Sequence, residues 1–114
     1  MLKAIMTAVA TVALAACASV PVAPERVQAS EQAIQAAKAA GVERQPGAAK
    51  YLELAGSEMT QGQKLSESEP RQAETMFARA EWDAKLATAM AKEGTAKAEV
   101  QRLNDELKSV SANQ

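Results

Sequence analysis

The sequence contains no histidine and a single cysteine among its 114 residues, and only 3% of it is aromatic. Without histidine, zinc sites of the Cys/His type and histidine-based proton transfer are excluded, and one cysteine cannot form an intrachain disulfide. Its serines have no histidine to activate them, which excludes hydrolases of the familiar triad type. We therefore expect no enzymatic activity, no metal ion and no cofactor.

Strong charge of either sign is also missing. The chain has 13 basic and 14 acidic residues, spread fairly evenly, for a formal net charge of -1. No polybasic run is present that would release counterions from nucleic acid or bind anionic lipid headgroups. We therefore expect no nucleic-acid partner, and charge alone indicates no other particular partner.

Alanine is what the chain has in abundance, and it supplies much of the 47% hydrophobic content. Alanine has the highest intrinsic helix propensity but contributes little buried area, so the core of the protein should be thin. Its small side chain also permits close approach of two helices. The composition predicts an all-α fold, with one alanine-rich helical domain over residues 25–111.

The N-terminal segment has the pattern of a bacterial export signal. Lys3 supplies a positive charge, residues 4–13 form an uncharged apolar run, and Leu14-Ala15-Ala16-Cys17 follows. The run is shorter than the roughly 20 residues of a membrane span. The tetrapeptide resembles the lipobox of bacterial lipoproteins, in which lipid is attached to the cysteine and a peptidase cuts before it. We therefore expect a signal peptide over residues 1–16 and an extended tether over residues 17–24, beginning at the lipidated Cys17.

Two other interpretations of this segment remain open. Ala16-Cys17-Ala18 also fits ordinary signal cleavage, which would release a protein starting at Ser19, and an uncleaved N-terminal anchor is conceivable. Lipid attachment is preferred because it gives the unpaired cysteine a chemical role. Ala18 differs from the aspartate that resembles an inner-membrane retention signal, so we expect a periplasm-facing location at the outer membrane.

Apolar periodicity predicts three helices, over residues 25–40, 46–65 and about 70–110. The second and third should pair as an elongated antiparallel hairpin through a seam of small residues on the third helix. We expect Ser68 to cap the third helix and another backbone to approach Gly62 closely. The seam recurs at steps of four and three residues: Ala73, Phe77, Ala80, Ala84, Ala87, Ala91, Gly94 and Ala98.

A second apolar stripe lies roughly opposite that seam on the third helix. It comprises Val100, Leu103, Leu107 and Val110, with Trp82 and Leu86 further toward the N-terminus. Because the third helix is much longer than the second, its far part has to bury this stripe against helix one, a second copy or another protein. We therefore interpret the four residues from Val100 to Val110 as an interaction stripe.

Other candidate sites have plainer interpretations. Asp83 is expected to make an interhelix hydrogen bond or to lie at a solvated edge, because no carboxylate follows or precedes it at helical spacing. The acidic residues Glu99, Asp105 and Glu106 alternate with basic ones, as on a solvated helix face and not in a cation site. The aromatic side chains of Trp82 and Tyr51 are expected to pack between helices, although stacking on a sugar is an alternative.

Three segments carry a resemblance to a known family: the Leu14–Cys17 lipobox, the run Tyr51-Leu52-Glu53-Leu54-Ala55 in the helix that Pro46 opens, and the run Ala80-Glu81-Trp82-Asp83-Ala84-Lys85-Leu86-Ala87. Together they resemble short alanine-rich helical lipoproteins of Gram-negative bacteria, which carry a domain of unknown function. In longer members a similar domain precedes an OmpA-like domain. More distantly, the chain is similar to the murein lipoprotein, although its ending lacks the lysine that is joined to the cell wall.

These observations predict a membrane-anchored envelope lipoprotein with a structural or protein-interaction role. Its partners should be the membrane, through lipid on Cys17, and either another envelope protein or a second copy, through helix faces. The alternative is a small ligand-binding or carrier protein with a groove between helices. An apolar cavity of a few hundred cubic ångströms would favour the carrier.

Overall fold

The computed structural model describes residues 20–114, so the predicted signal peptide and the lipobox residues Leu14, Ala15, Ala16 and Cys17 lie outside the described part. The prediction of an all-α fold is confirmed, since residues 20–114 contain helices and no strand. None of these helices is long and apolar enough to cross a bilayer. The elements are α1 (Pro24–Ala39), a short 3-10 turn (Val42–Arg44), α2 (Pro46–Leu65) and α3 (Pro70–Ala112).

Each long helix begins with a proline at its first position, where the missing N–H costs nothing because that group has no intrahelical partner. Gly41 follows α1 with φ of 72°, a left-handed conformation that suits glycine. The expected cap at Ser68 is wrong. Glu69 is the residue that precedes α3, and its side chain accepts a hydrogen bond from the side-chain amide of Gln72.

The antiparallel pairing of α2 and α3 is confirmed and rests on the small-residue seam. Six seam residues of α3, from Ala73 to Ala91, are completely or almost completely buried. Gly94 is only partly buried, and Ala98 is exposed, so the predicted seam is too long at its C-terminal end. The reason is the start of α2, where the Gln45 side-chain amide donates a hydrogen bond of 2.9 Å to the carbonyl of Ala91.

At the other end of the hairpin, an aromatic ring fills the space that Gly62 leaves. A Cβ atom placed on Gly62 would lie 2.9 Å from Cε1 of Phe77, which is too close for a real contact. The expected close approach of a backbone at this glycine is therefore wrong. Phe77 is the only aromatic side chain among the fully buried residues of the described chain, and it needs this glycine to fit.

Helix α1 packs along the hairpin and runs parallel to α3. Near its start, Arg26 Nη1 lies 3.1 Å from Oε2 of Glu81, which also pairs with Lys85. These partners, Lys85 first and then Arg26, lower the pKa of Glu81. Further along α1, the Ser30 hydroxyl is buried and donates to the Val27 carbonyl at 2.7 Å.

The C-terminal part of α3 extends well beyond this bundle. Its 43 residues span about 64 Å, whereas the 20 residues of α2 span about 30 Å. Every residue after Gly94 is exposed. We call residues 95–112 the overhang of α3, and α1 does not cover it.

Candidate interaction surface

The surface of α3 that faces away from the bundle carries large apolar side chains in two places, beside the bundle and on the overhang. The four residues of the predicted interaction stripe lie on the overhang, and each is at least half exposed. Trp82 and Leu86 continue the same surface alongside the bundle and are 67% and 43% exposed. We call the complete set the outward face: Trp82, Leu86, Ala89, Glu93, Ala96, Val100, Leu103, Leu107 and Val110.

The outward face has the spacing of a coiled-coil helix. Its residues follow one another at alternating steps of four and three from Trp82 to Val110, which covers four heptads. Glu93 is the only polar residue at these positions. An apolar heptad pattern sustained over three or four heptads indicates a partner helix, and residues 20–114 provide none on this side of α3.

Trp82 corrects one expectation from the sequence. Its indole does not pack between helices but lies on the outward face, where the Lys85 ammonium sits 5.1 Å from the ring centroid. Tyr51, by contrast, is half-buried against the core of the bundle, as expected. A large aromatic side chain left on a helix surface is typical of residues that contribute strongly to protein interfaces.

Ion pairs line the overhang beside the apolar residues. Arg102 bridges Glu99, at 2.7 Å, and Glu106, while Glu93 pairs with Lys97 at 2.7 Å. Asp105 is exposed on the same stretch. The described residues contain no group of three acidic or cysteine side chains that would hold a metal ion, and the predicted solvated face is confirmed.

A pair of carboxyl groups lies across the α2–α3 interface. Glu58 of α2 is 8% exposed and lies beside Asp83 of α3. Burial first, and then the neighbouring Asp83, raise the pKa of Glu58 to about 7, while the charge of Arg79 opposes the rise. One oxygen of Glu58, Oε2, is buried without a hydrogen-bond donor. Asp83 is half-buried at this interface, and its expected interhelix hydrogen bond stays a prediction.

A groove between α1 and α2 is the feature nearest to a ligand site. It encloses about 510 Å³, is open to solvent, and is lined by Ile34 and Met59 together with four polar residues, Glu31, Gln32, Gln35 and Gln63. An apolar ligand needs an enclosed and mainly apolar cavity. The size matches the carrier alternative, but the openness to solvent does not.

Comparison with protein families gives one match that covers more than half of the chain. The model of a domain of unknown function, DUF4398, matches residues 25–103. The chain belongs to the DUF4398 family. No curated protein and no solved structure matches it. Within the DUF4398 match lie α2, nearly all of α1, and α3 as far as Leu103.

The structure places the residues of the predicted interaction stripe on one side of α3, but it does not bring Trp82 and Tyr51 together. The stripe residues share one exposed side of α3, whereas Trp82 and Tyr51 lie on different surfaces. Glu58 is the residue that sequence reasoning missed. Two features of the sequence could have identified Glu58. It lies next to Met59 on the buried side of α2, and an antiparallel hairpin places it at the level of Asp83.

Proposed function

We propose that this DUF4398 protein is an envelope lipoprotein, anchored to the outer membrane on its periplasmic side, with a structural or protein-interaction role. Lipid on Cys17 provides the anchor, and the outward face of α3 provides the contact with a partner. The observation that carries this proposal is the outward face, because four heptads of positions that are apolar apart from Glu93 stay uncovered by residues 20–114.

The proposed anchor rests on the N-terminal sequence and on the start of α1. Leu14-Ala15-Ala16-Cys17 supplies the lipobox pattern, and α1 begins at Pro24. The intervening chain reaches at most about 25 Å when fully extended. Two or three acyl chains on one cysteine hold a protein firmly at a bilayer. The bundle would therefore lie close to the membrane, within reach of other proteins attached to it.

The proposed contact follows from the cost of exposed apolar surface. Burying a large aliphatic side chain contributes about 1.5 to 3 kcal/mol, and the overhang displays four such side chains in one line. Nothing else in the described chain approaches them. A partner that supplies a matching helix would remove this apolar surface from water. A non-enzymatic interaction role therefore explains why the surface is exposed.

The ligand-carrier alternative rests on the groove between α1 and α2. Its volume of about 510 Å³ would admit a small molecule, but the groove is open to solvent. A carrier would leave the outward face without a purpose. We therefore favour the interaction role.

Metabolic labelling with a palmitate analogue tests the anchor. The wild-type protein should take up the label and sediment with membranes, whereas Cys17→Ala should do neither. Ser19→Ala is the matched control, because it changes a neighbouring small residue and keeps the cysteine. An unlabelled wild-type protein in the soluble periplasmic fraction would refute the proposed anchor.

A further inference from the structure

The charges beside the outward face are segregated along the helix. One edge of the face consists of the residues that directly precede Leu86, Glu93, Val100 and Leu107. This edge carries Lys85 and Lys92 alongside the bundle and Glu99 and Glu106 on the overhang. Lys92 forms no ion pair within residues 20–114, and Arg102 alone serves both glutamates. One end of this edge is therefore basic and the other acidic.

A helix with this arrangement complements its own reversed copy. We propose that two copies of the chain pair through their outward faces with their α3 helices antiparallel, so that Leu86 of each copy lies against Leu103 of the other. The same register places Trp82 against Leu107, and Ala89 against Val100. The overhang of each copy then covers the exposed apolar residues beside the bundle of the other.

The charged edge selects this register. Edge residues of two antiparallel helices face each other, and here Lys85 meets Glu106 and Lys92 meets Glu99, each pair occurring twice by symmetry. On the opposite edge, Asp83 faces Asn104. No two like charges are brought together along either edge.

Other arrangements are less complementary. Sliding the antiparallel pair by one heptad keeps only two of the four lysine–glutamate contacts and places Glu99 against Glu99 of the second copy, or Lys92 against Lys92, depending on the direction. A parallel in-register pair places Lys92 against Lys97 and leaves Glu99 facing Asn104, so it gains no attraction. Charge complementarity therefore favours a second copy of this chain as the occupant of the face.

This inference rests on the proposed interaction role of the outward face, but it does not depend on lipid attachment to Cys17. One contact between two copies would cover two separate sets of exposed apolar side chains. Trp82 and Leu86 are uncovered beside the bundle, and Leu103 and Leu107 are uncovered on the overhang. Neither set could pair with itself in an antiparallel dimer of this register, but each pairs with the other.

Cysteine crosslinking of the full chain in its membrane tests the register. Leu86→Cys and Leu103→Cys variants with different epitope tags are expressed separately and together, labelled with the palmitate analogue, and then oxidised. We expect a mixed dimer when the two are co-expressed and at least fivefold less crosslinking in either variant alone. The wild type, with only Cys17, measures any crosslinking through that residue.

The other outcomes are distinct. Strong self-crosslinking of each variant alone would mean a parallel pair and would overturn the proposal. Protein that takes up the palmitate analogue but forms no crosslink in any sample would also overturn the proposal. The lipid anchor would then stand, and the outward face would bind a different protein. Crosslinking in unlabelled protein would support the pair while refuting the anchor.

Charge reversal provides the second test, carried out on the co-expressed cysteine variants. Lys92→Glu alone and Glu99→Lys alone should each reduce the mixed crosslink by about fivefold, because each creates two like-charge contacts. The combined variant should restore the yield to within about twofold of the starting level. A combined variant that crosslinks no better than the single ones would overturn the register.

Discussion

Glu58 of α2 lies beside Asp83 of α3 across the hairpin interface, although both side chains are acids. Burial together with the neighbouring Asp83 raises the pKa of Glu58 to about 7. A proton on Glu58 removes the repulsion between two carboxylates and the cost of an ionised group inside the hairpin. The pair therefore makes the stability of the hairpin depend on pH.

Replacing Glu58 with glutamine should remove most of that pH dependence. The pKa of Glu58 is raised from 4.5 in the unfolded chain to about 7, so its contribution to stability is fully present below pH 4.5. It is lost progressively as pH rises through 7, by on the order of 1 to 3 kcal/mol. Glu58→Gln stays neutral, keeps a donor for Asp83, and should be more stable than the wild type at pH 8.

Denaturant unfolding at pH 5 and at pH 8 measures this effect. Glu53→Gln, on the exposed side of the same helix, is the control and should leave the difference between the two pH values unchanged. An equal pH dependence in Glu58→Gln and the wild type would show that Glu58 is not protonated in the folded hairpin.

Two of the three glycines of α2, Gly56 and Gly62, should respond in opposite directions to substitution by alanine. At Gly62 a Cβ would meet the Phe77 ring at 2.9 Å, whereas at Gly56 no atom lies within 4 Å. Gly62→Ala should destabilise by about 1 to 3 kcal/mol through overpacking. Gly56→Ala should stabilise by about 0.5 to 1 kcal/mol through helix propensity. Thermal unfolding of the two variants decides this, and a shift of the same sign in both would contradict the packing around Phe77.

The corrected end of the alanine seam predicts different results for two leucine substitutions on α3. Ala84 is fully buried between the helices, whereas Ala98 is exposed on the overhang. Ala84→Leu should cost about 1 to 3 kcal/mol of stability through overpacking, and Ala98→Leu should stay within about 0.5 kcal/mol of the wild type. Comparable losses in chemical denaturation would mean that the seam continues onto the overhang.

Serine in place of Leu103 and Leu107 should impair association more than folding. Both side chains are at least half exposed, so the double substitution should lower stability by only about 1 kcal/mol, mainly through helix propensity. Leu52→Ser, at a buried position of α2, should cost several times more. The melting temperature, measured in dilute solution, and the crosslinking yield between copies separate the two effects. Outright unfolding of the double variant would identify these leucines as core.

The helices could be predicted closely because their signals are local. Pro46 fixes the start of α2, and the alternation of small residues from Ala73 to Ala91 identifies the buried side of α3. The predicted boundaries therefore agree with the structure to within a few residues. The line of apolar residues from Val100 to Val110, which the structure leaves exposed, was also predictable, since heptad spacing does not depend on tertiary contacts.

The errors concern contacts between helices, which local spacing does not determine. Seam spacing alone did not show that α2 begins level with Ala91, and so Ala98 was placed in the interface. A helical-wheel projection of a single helix likewise could not show that Glu58 lies beside Asp83, because the two residues belong to different helices. Trp82 was expected to pack inside because aromatic residues usually do, but the bundle is narrow and alanine already fills the seam.

The parallel direction of α1 and α3 has a consequence for how a pair of copies would meet a bilayer. Arg26 lies level with Glu81, so the tether enters near the start of α3, at the end away from the overhang. In the proposed antiparallel pair, the two tethers would enter at opposite ends, with the levels of the two Arg26 residues roughly 40 Å apart along the axis. Two-point attachment of this kind would hold the long axis along the plane of the lipids, and the pair would respond to the local curvature of the membrane.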